Sequence, residues 1–171
     1  MLLTIVASFY FWLDWSGNIH VVAQDRYYRS AQLDAKGFEQ AIKAYNIRSI
    51  INLRGENAGK PWYDEELMTT RNLGVVHYDF RMSARTELSV SDIERVRNLL
   101  REAPKPVLIH CNGGSDRSGL ISAIVRLGEG DTPDQAMEQL SFRYGHFPWL
   151  GSRTVAMDNS LKGYLTFHEK E

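Results

Sequence analysis

One stretch constrains the fold more than any other: Pro106–Gly119, which reads PVLIHCNGGSDRSG. Val107-Leu108-Ile109 is a continuous apolar run, the pattern of a strand buried on both faces. It runs into His110-Cys111, then the pair Gly113-Gly114, then Arg117-Ser118 at the start of a helical pattern that reaches Gly128. A buried strand, a glycine turn and a helix N-terminus in immediate succession make an anion trap. Successive loop N–H groups converge there, and the helix dipole adds partial positive charge. Gly113 and Gly114 let the backbone fold tightly and approach a ligand without a Cβ in the way.

The rest of the chain supplies neighbours for that unit. Ile19–Val22 and Arg26–Arg29 read as short strands around a turn at Asp25. Leu33–Tyr45 places Phe38, Ile42 and Tyr45 at helical spacing, Ile47–Leu53 is an apolar strand, and Gly55–Pro61 is a loop before a helix near Tyr63–Leu73. Val75–Phe80 is the next strand, and Ser89–Asp92 caps a helix carrying Ile93, Val96, Leu99 and Leu100 that ends before Pro104. Further helices are expected over Arg117–Leu127, from Asp131-Thr132-Pro133 through Leu140, and over Ala156–Phe167. Alternating strands and helices predict an α/β fold: a single domain with a central, mostly parallel sheet flanked by helices on both faces. The 171 residues suit one core, since single domains commonly run to roughly 100–200 residues.

Composition excludes whole classes. A net charge of −1 gives no general attraction for polyanions, so nucleic acid is not an expected partner. Cys111 is the one cysteine, which rules out an intramolecular disulfide and any multi-cysteine metal site. Met1–Trp15 is apolar and aromatic but shorter than the ~20 residues a membrane-spanning helix needs. It also lacks the basic start of a secretory signal. We therefore separate residues 1–16 from a domain over 17–171 and expect the segment to be the remnant of a membrane anchor, with packing on the domain as the alternative. Localisation is then cytoplasmic or at the inner membrane.

Cys111 lies at the mouth of the anion trap. A thiol at the N-terminal side of a helix beside a guanidinium is expected to ionise readily, and a thiolate held against bound phosphate is a nucleophile for phosphoryl transfer. Arg117 has the planar fork that meets two oxygens of a tetrahedral oxyanion. The competing reading of Cys111 is inert filling at the end of a core strand.

HCNGGSDRSG resembles the H-C-x5-R-[S/T] signature loop of the cysteine-dependent protein tyrosine phosphatase superfamily, most closely its compact bacterial dual-specificity-like branch. Tyr28–Gln32, Ile51–Arg54 and Tyr78–Ser83 resemble that branch in order and spacing, so the likeness runs from about Gly17 to Gly145. The resemblance implies a phosphomonoester hydrolase acting on phosphorylated protein through a cysteinyl-phosphate, with no cofactor and no metal. It makes Cys111 the nucleophile, and it has Arg117 and the loop amides of Asn112, Gly113, Gly114, Ser115 and Asp116 hold the phosphoryl oxygens. Ser118 would hydrogen-bond the sulfur, and His110 would brace the loop.

The same resemblance requires a general acid on a loop after an earlier strand. Asp79 is the first choice, with Glu87 in the same loop and Asp116 inside the signature loop as alternatives. Arg81 and Arg85 are expected to face substrate; Arg29 and Arg54 are expected to hold structural ion pairs with Glu56, Asp79 or Asp116, the alternative being to ring the pocket with positive charge. Lys60–Tyr63 reads either as a pocket wall or as a helix start with a packed Trp62. His146, in the aromatic segment Tyr144–Trp149, belongs by default to a packed surface loop, the alternative being a cover that orients water. His77 and Asp79 share a strand face, but no third ligand suggests a metal.

Positions 112–116 contain no Lys or Arg, and Asp116 would repel a second phosphate. Charge therefore favours phosphotyrosine or dual-specificity phosphoprotein substrates over phosphoinositides and inositol phosphates, unless Arg81 and Arg85 compensate. A phosphate-binding pseudophosphatase, a rhodanese-like sulfurtransferase and an arsenate reductase are the rival readings.

Overall fold

The apolar runs become five short strands: β1 (His20–Ala23), β2 (Tyr27–Ser30), β3 (Ser49–Asn52), β4 (Val76–Asp79) and β5 (Val107–His110). In the computed structural model, which describes residues 8–9, 11–13, 15–149 and 151–168, they form one sheet in the order β1-β2-β5-β3-β4. β1 and β2 are an antiparallel hairpin whose turn holds Asp25 at φ 60°, a left-handed position that a short acidic side chain tolerates. The other pairings are parallel. The helices are α1 (Ala35–Tyr45), α2 (Pro61–Asn72), α3 (Val90–Glu102), α4 (Asp116–Gly128), α5 (Pro133–Met137) and α6 (Val155–His168).

Strand alternation sorts the core into two layers. Tyr28, Ile50 and Leu108 face Phe38 and Ile42 of α1. Ile51, Val107 and Ile109 face the other way, onto Ile93 and Val96 of α3, Leu120 and Ile121 of α4, and Met157 and Leu161 of α6. Helix α4 is buried from Ser118 to Val125, which is why its sequence reads as an apolar run rather than as an amphipathic stripe. This is the α/β sheet, flanked on both faces, that the sequence predicts.

The parallel register sets up the site. Ser30 pairs with His110, His110 with Asn52, and Asn52 with Asp79, so these four residues form one row across the C-terminal edge of the sheet. Ala31, Cys111, Leu53 and Phe80 are the first residues beyond it. Ligands of parallel sheets gather at this edge. Cys111 leaves from β5, the central strand of the five. Asp79 ends β4, two strands away, a separation of about 10 Å at the usual strand spacing.

Two expectations are corrected. The helix expected through Leu140 ends at Met137; the chain tightens there, with Leu140 N–H donating to the Met137 carbonyl, and Gln139 turns toward β2. The membrane anchor expected in residues 1–16 is not supported: among the described residues no helix is long and apolar enough to cross a membrane. Residues 1–7, 10 and 14 of that segment lie outside the described residues. Within the described part Leu13 is buried and Phe9 stacks on Phe142 at 4.8 Å, while Phe11, Trp12 and Trp15 are exposed.

Candidate active site

The segment from Cys111 to Arg117 folds as a loop whose carbonyls are held by donors outside it. Gln32 N–H donates to Asn112 O (2.9 Å), Asn18 Nδ2 to Gly113 O (2.9 Å), and Arg29 Nη2 to both Gly114 O (2.8 Å) and Ser115 O (2.9 Å). A trans peptide sets its N–H opposite its C=O. Fixing those carbonyls outward therefore turns the N–H groups of Gly113, Gly114, Ser115 and Asp116 toward the other side of the loop. Helix α4 begins at once, and Ser115 makes no side-chain cap, whereas Asp34, Ser89 and Thr132 cap α1, α3 and α5. Among the described residues no N-cap side chain takes up the first-turn amides of α4.

These groups border a cavity of about 430 Å³ lined by Ser83, Arg85, Cys111, Asp116, Arg117 and Thr154, among others. Cys111 lies on its floor, 2% exposed. Arg117 Nη1 makes two long contacts, to Leu53 O (3.3 Å) and Met82 O (3.4 Å), while its buried Nε has no partner among the described residues. An unpaired buried guanidinium nitrogen at an amide-lined loop is suited to an anion.

Gly114 is the glycine this geometry cannot replace. Its φ is +71°, and an added Cβ would stand 2.6 Å from Ala31 N and 2.7 Å from the Ser30 carbonyl carbon. Gly113 has no such φ, and its Cβ would meet only Ser115 Oγ at 3.3 Å. Gly114→Ala should cost about 1–3 kcal/mol of backbone strain before overlap is counted. We expect a lower thermal midpoint that inorganic phosphate no longer raises, and a midpoint still raised by phosphate would contradict the tight packing of loop on β2.

Three residues behind the loop keep its polarity fixed. Arg29 is fully buried, with Nη1 on Gln139 O (2.8 Å) and Oε1 (3.0 Å) and its guanidinium 4.2 Å above the Tyr144 ring. Burial lowers its pKa to about 10 against the opposing charges of Tyr144, Cys111 and Asp116, so it is a cation at neutral pH. His20 is pushed down to about 4 by burial and by Arg29 and Arg143. It is therefore neutral at pH 7, and its Nε2 pairs with Asn18 Oδ1 at 2.9 Å, which aims the Asn18 amide at Gly113 O and Tyr144 O.

His110 braces the other side. Its Nε2 pairs with Glu66 Oε1 at 2.8 Å, and the same oxygen meets His77 Nε2 at 2.8 Å; Gln32 Nε2 donates to Oε2 at 2.8 Å. Burial pushes the Glu66 carboxyl up, but His110 and these hydrogen bonds outweigh it and hold the group well below the usual carboxylate range. Arg54 extends the network, donating to Gln32 Oε1 (2.8 Å) and stacking 3.4 Å over Trp62. Ser118 Oγ is buried behind the loop without a hydrogen-bond partner among the described residues.

The three acid candidates occupy different places. Asp79 does not line the Cys111 cavity; its Oδ1 accepts from Asn52 Nδ2 (2.8 Å) and its Oδ2 from Tyr63 OH (2.5 Å), so β3 and α2 hold both oxygens. Glu87 accepts from Asn159 Nδ2 (2.7 Å) and borders a neighbouring cavity shared with Asp79. Asp116 lines the Cys111 cavity with a quarter of its side chain exposed. Its Oδ1 is 2.7 Å from His146 Nδ1, and His146 Nε2 is 2.9 Å from Asp158 Oδ2. His146 is 1% exposed.

Of the two arginines expected to face substrate, Arg85 lines the Cys111 cavity, whereas Arg81 points to the Glu56 carbonyl and borders the Asp79 cavity. Trp62 and Tyr63 begin α2, and Tyr63 is buried against Asp79. Asn18, Gln32, Glu66 and Asp158 were not among the expected site residues. Glu66 shares the buried face of α2 with Tyr63, Thr69 and Thr70, and Asp158 lies among the buried residues of α6. An acid on a buried helix face is the signal that would have singled them out.

The sequence model of the tyrosine phosphatase family matches residues 16–139. No curated relative matches the chain. Solved structures do. The core catalytic domain of the PP-IP phosphatase Siw14 from S. cerevisiae is 20% identical, over 89% of this chain and 93% of that one, with a TM-score of 0.65. P. aeruginosa TpbA in complex with pTyr is 18% identical over 90% and 91%, with a TM-score of 0.63. A phosphatase described as putative from Neisseria meningitidis is 25% identical over 84% and 98%, with a TM-score of 0.61.

Proposed function

The chain belongs to the tyrosine phosphatase family, and we propose that it hydrolyses phosphate monoesters through a cysteinyl-phosphate on Cys111. The observation that carries this reading is the loop whose carbonyls from Asn112 to Ser115 are tied outward, leaving amides, the Arg117 Nε and the Cys111 sulfur around one cavity. In this reading the amides from Gly113 to Asp116 and the Arg117 guanidinium hold the equatorial oxygens, whose charge they stabilise through the transition state. Cys111 Sγ attacks phosphorus as the ester oxygen leaves. Water then cleaves the S–P bond, and the buried Ser118 hydroxyl serves the departing sulfur.

Asp116 is the general acid in this reading. It borders the same cavity as Cys111, whereas Asp79 has both oxygens occupied at the end of β4. Asp116→Asn should lower kcat/KM for alkyl phosphates by about 10²–10⁴-fold and for an activated aryl phosphate far less, because only a poor leaving group needs the proton. Asp79→Asn should leave that contrast unchanged. The reverse pattern, in steady-state kinetics on both ester types, would move the acid role to Asp79.

The substrate reading is a phosphoprotein, phosphotyrosine or dual-specificity, in keeping with the family and with the loop's lack of Lys and Arg at 112–116. A second reading, an ester bearing another anionic group such as an inositol phosphate, is favoured by Arg85. That residue lines the Cys111 cavity and an adjoining one with Arg153. TpbA and Siw14 stand for the two substrate types. Turnover of a phosphotyrosine peptide, phosphoserine and phosphothreonine peptides and inositol phosphates, compared between wild type and Arg153→Ala, distinguishes them. Loss confined to the multiply charged esters selects the second.

A further inference from the structure

We propose that Asp116 does not act as a lone carboxyl: His146, clamped between Asp116 and Asp158, is its proton reservoir, and the three side chains form one acid–base unit. The proposal rests on Asp116 being the acid. Both His146 ring nitrogens face a carboxylate oxygen, at 2.7 Å and 2.9 Å. Two ionised carboxylates accept and cannot donate, so this pair of hydrogen bonds needs two protons between three groups. Either the ring is an imidazolium, or the ring is neutral and one of the two carboxyls carries the other proton; of those two carboxyls Asp116 is the one that lines the cavity. The imidazolium and the form protonated on Asp116 differ by one proton moved across the 2.7 Å contact.

That arrangement answers a problem of supply. An ordinary aspartate at pH 7 carries its proton only about one time in 10³, too rarely for an efficient acid. Here the proton is stored on a ring that is 1% exposed and leaves through the one member of the unit that lines the cavity. Burial by itself would drive the ring proton off; the hydrogen bonds and charges of Asp116 and Asp158 outweigh it and raise the His146 pKa. The charged groups around the unit are Asp116 on α4, Asp158 on α6, the Arg29 cation on β2, which feels Asp116, and Arg117 and Arg85 on the cavity wall. Among the described residues no cluster of three or more His, Cys, Asp or Glu is arranged to hold a metal ion. The backbone delivers the ring firmly: Gly145 at φ 82° closes the 3₁₀ turn Phe142–Tyr144, and His146 N–H donates to Ser141 O at 3.2 Å.

The protons balance over one turnover. As the P–O bond breaks and the S–P bond forms, the Asp116 carboxyl proton goes to the leaving oxygen, and His146 is left neutral with its remaining proton on Nε2 toward Asp158. The Nδ1 lone pair then faces the Asp116 carboxylate. That repulsion makes Asp116 a base, which takes a proton from the water that attacks phosphorus as the S–P bond breaks. The proton refills the unit, and the net reaction is ester plus water to alcohol plus phosphate.

The test compares alkyl and activated aryl phosphates across pH in wild type, Asp116→Asn, His146→Gln and Asp158→Asn. Because the reservoir is full at low pH and empties as pH rises through the raised His146 value, His146→Gln should move the alkaline limb of kcat for alkyl phosphates acidward by at least one pH unit. At pH 7 it should lower alkyl phosphate kcat/KM, which reports the step that expels the ester oxygen, about 100-fold; aryl phosphate kcat/KM should fall far less, because an activated leaving group does not need the proton. Asp158→Asn should move the limb the same way by less, and it carries the test if the His146 variant does not fold. Equal losses on both ester types with an unmoved limb would overturn the reservoir while leaving Asp116 as the acid. Undiminished alkyl phosphate hydrolysis in Asp116→Asn would overturn the acid assignment itself.

Discussion

Cys111→Ser is expected to remove turnover, by about 10⁴-fold or more, because a hydroxyl in place of the sulfur cannot form and release the covalent intermediate. The substitution is nearly isosteric, and the loop is not held in shape by the sulfur. Gln32, Asn18 and Arg29 hold its carbonyls from outside. Folding and phosphate binding should therefore survive: inorganic phosphate should still raise the thermal midpoint of the variant while aryl phosphate hydrolysis falls to background. That combination separates a covalent phosphatase from a phosphate-binding pseudophosphatase, in which the midpoint would respond but neither protein would turn over. Turnover in the variant above a few per cent of wild type would end the cysteinyl-phosphate proposal.

What the sequence revealed and what it hid divide by range. The strand–loop–helix unit around Cys111 is local, so Val107–His110 and Asp116–Gly128 appear within a residue or so of where they were expected. The row Ser30, His110, Asn52 and Asp79 depends on β5 inserting between β2 and β3, a long-range pairing that no local pattern encodes. That insertion sets Asp79 two strands from Cys111. Spacing along the chain favours Asp79 as the acid; it measures loop length and does not report distance across a sheet. Glu66 and Asp158 escaped for a related reason: a carboxylate in a helix normally reads as a solvated face, and it takes the histidines that reach them from β5, β4 and the loop after the 3₁₀ turn, with Gln32 on Glu66, to make their burial tolerable. Arg29 was read correctly as structural but with the wrong partners, carbonyl oxygens of the signature loop in place of carboxylates.

That last misreading has the largest consequence for stability. Arg29→Met should cost about 3–5 kcal/mol, the range for removing one member of a buried charged network. Four hydrogen bonds go with the guanidinium, to Gly114 O, Ser115 O, Gln139 O and Gln139 Oε1. A carbonyl left buried and unpaired costs about 1–3 kcal/mol, so the peptide units of Gly114 and Ser115 lower their energy by rotating their oxygens toward water in the cavity. Each such rotation replaces an inward N–H with an inward C=O, and the loop then repels the anion it was built to hold. The thermal midpoint should fall by roughly 6–20 °C, at about 2–4 °C per kcal/mol for a domain of this size. The inhibition constant for inorganic phosphate should rise more than tenfold, and kcat/KM should fall by the same factor for alkyl and aryl esters alike. Uniform loss distinguishes a defect in the oxyanion loop from one in proton transfer. Arg29→Lys keeps the charge, but a single ammonium cannot span the loop and Gln139 together, so it should recover part of the stability and little of the phosphate affinity. Wild-type phosphate inhibition in Arg29→Met would show that the loop holds its polarity without the buried cation, and the preorganisation argued for here would then rest on Asn18 and Gln32.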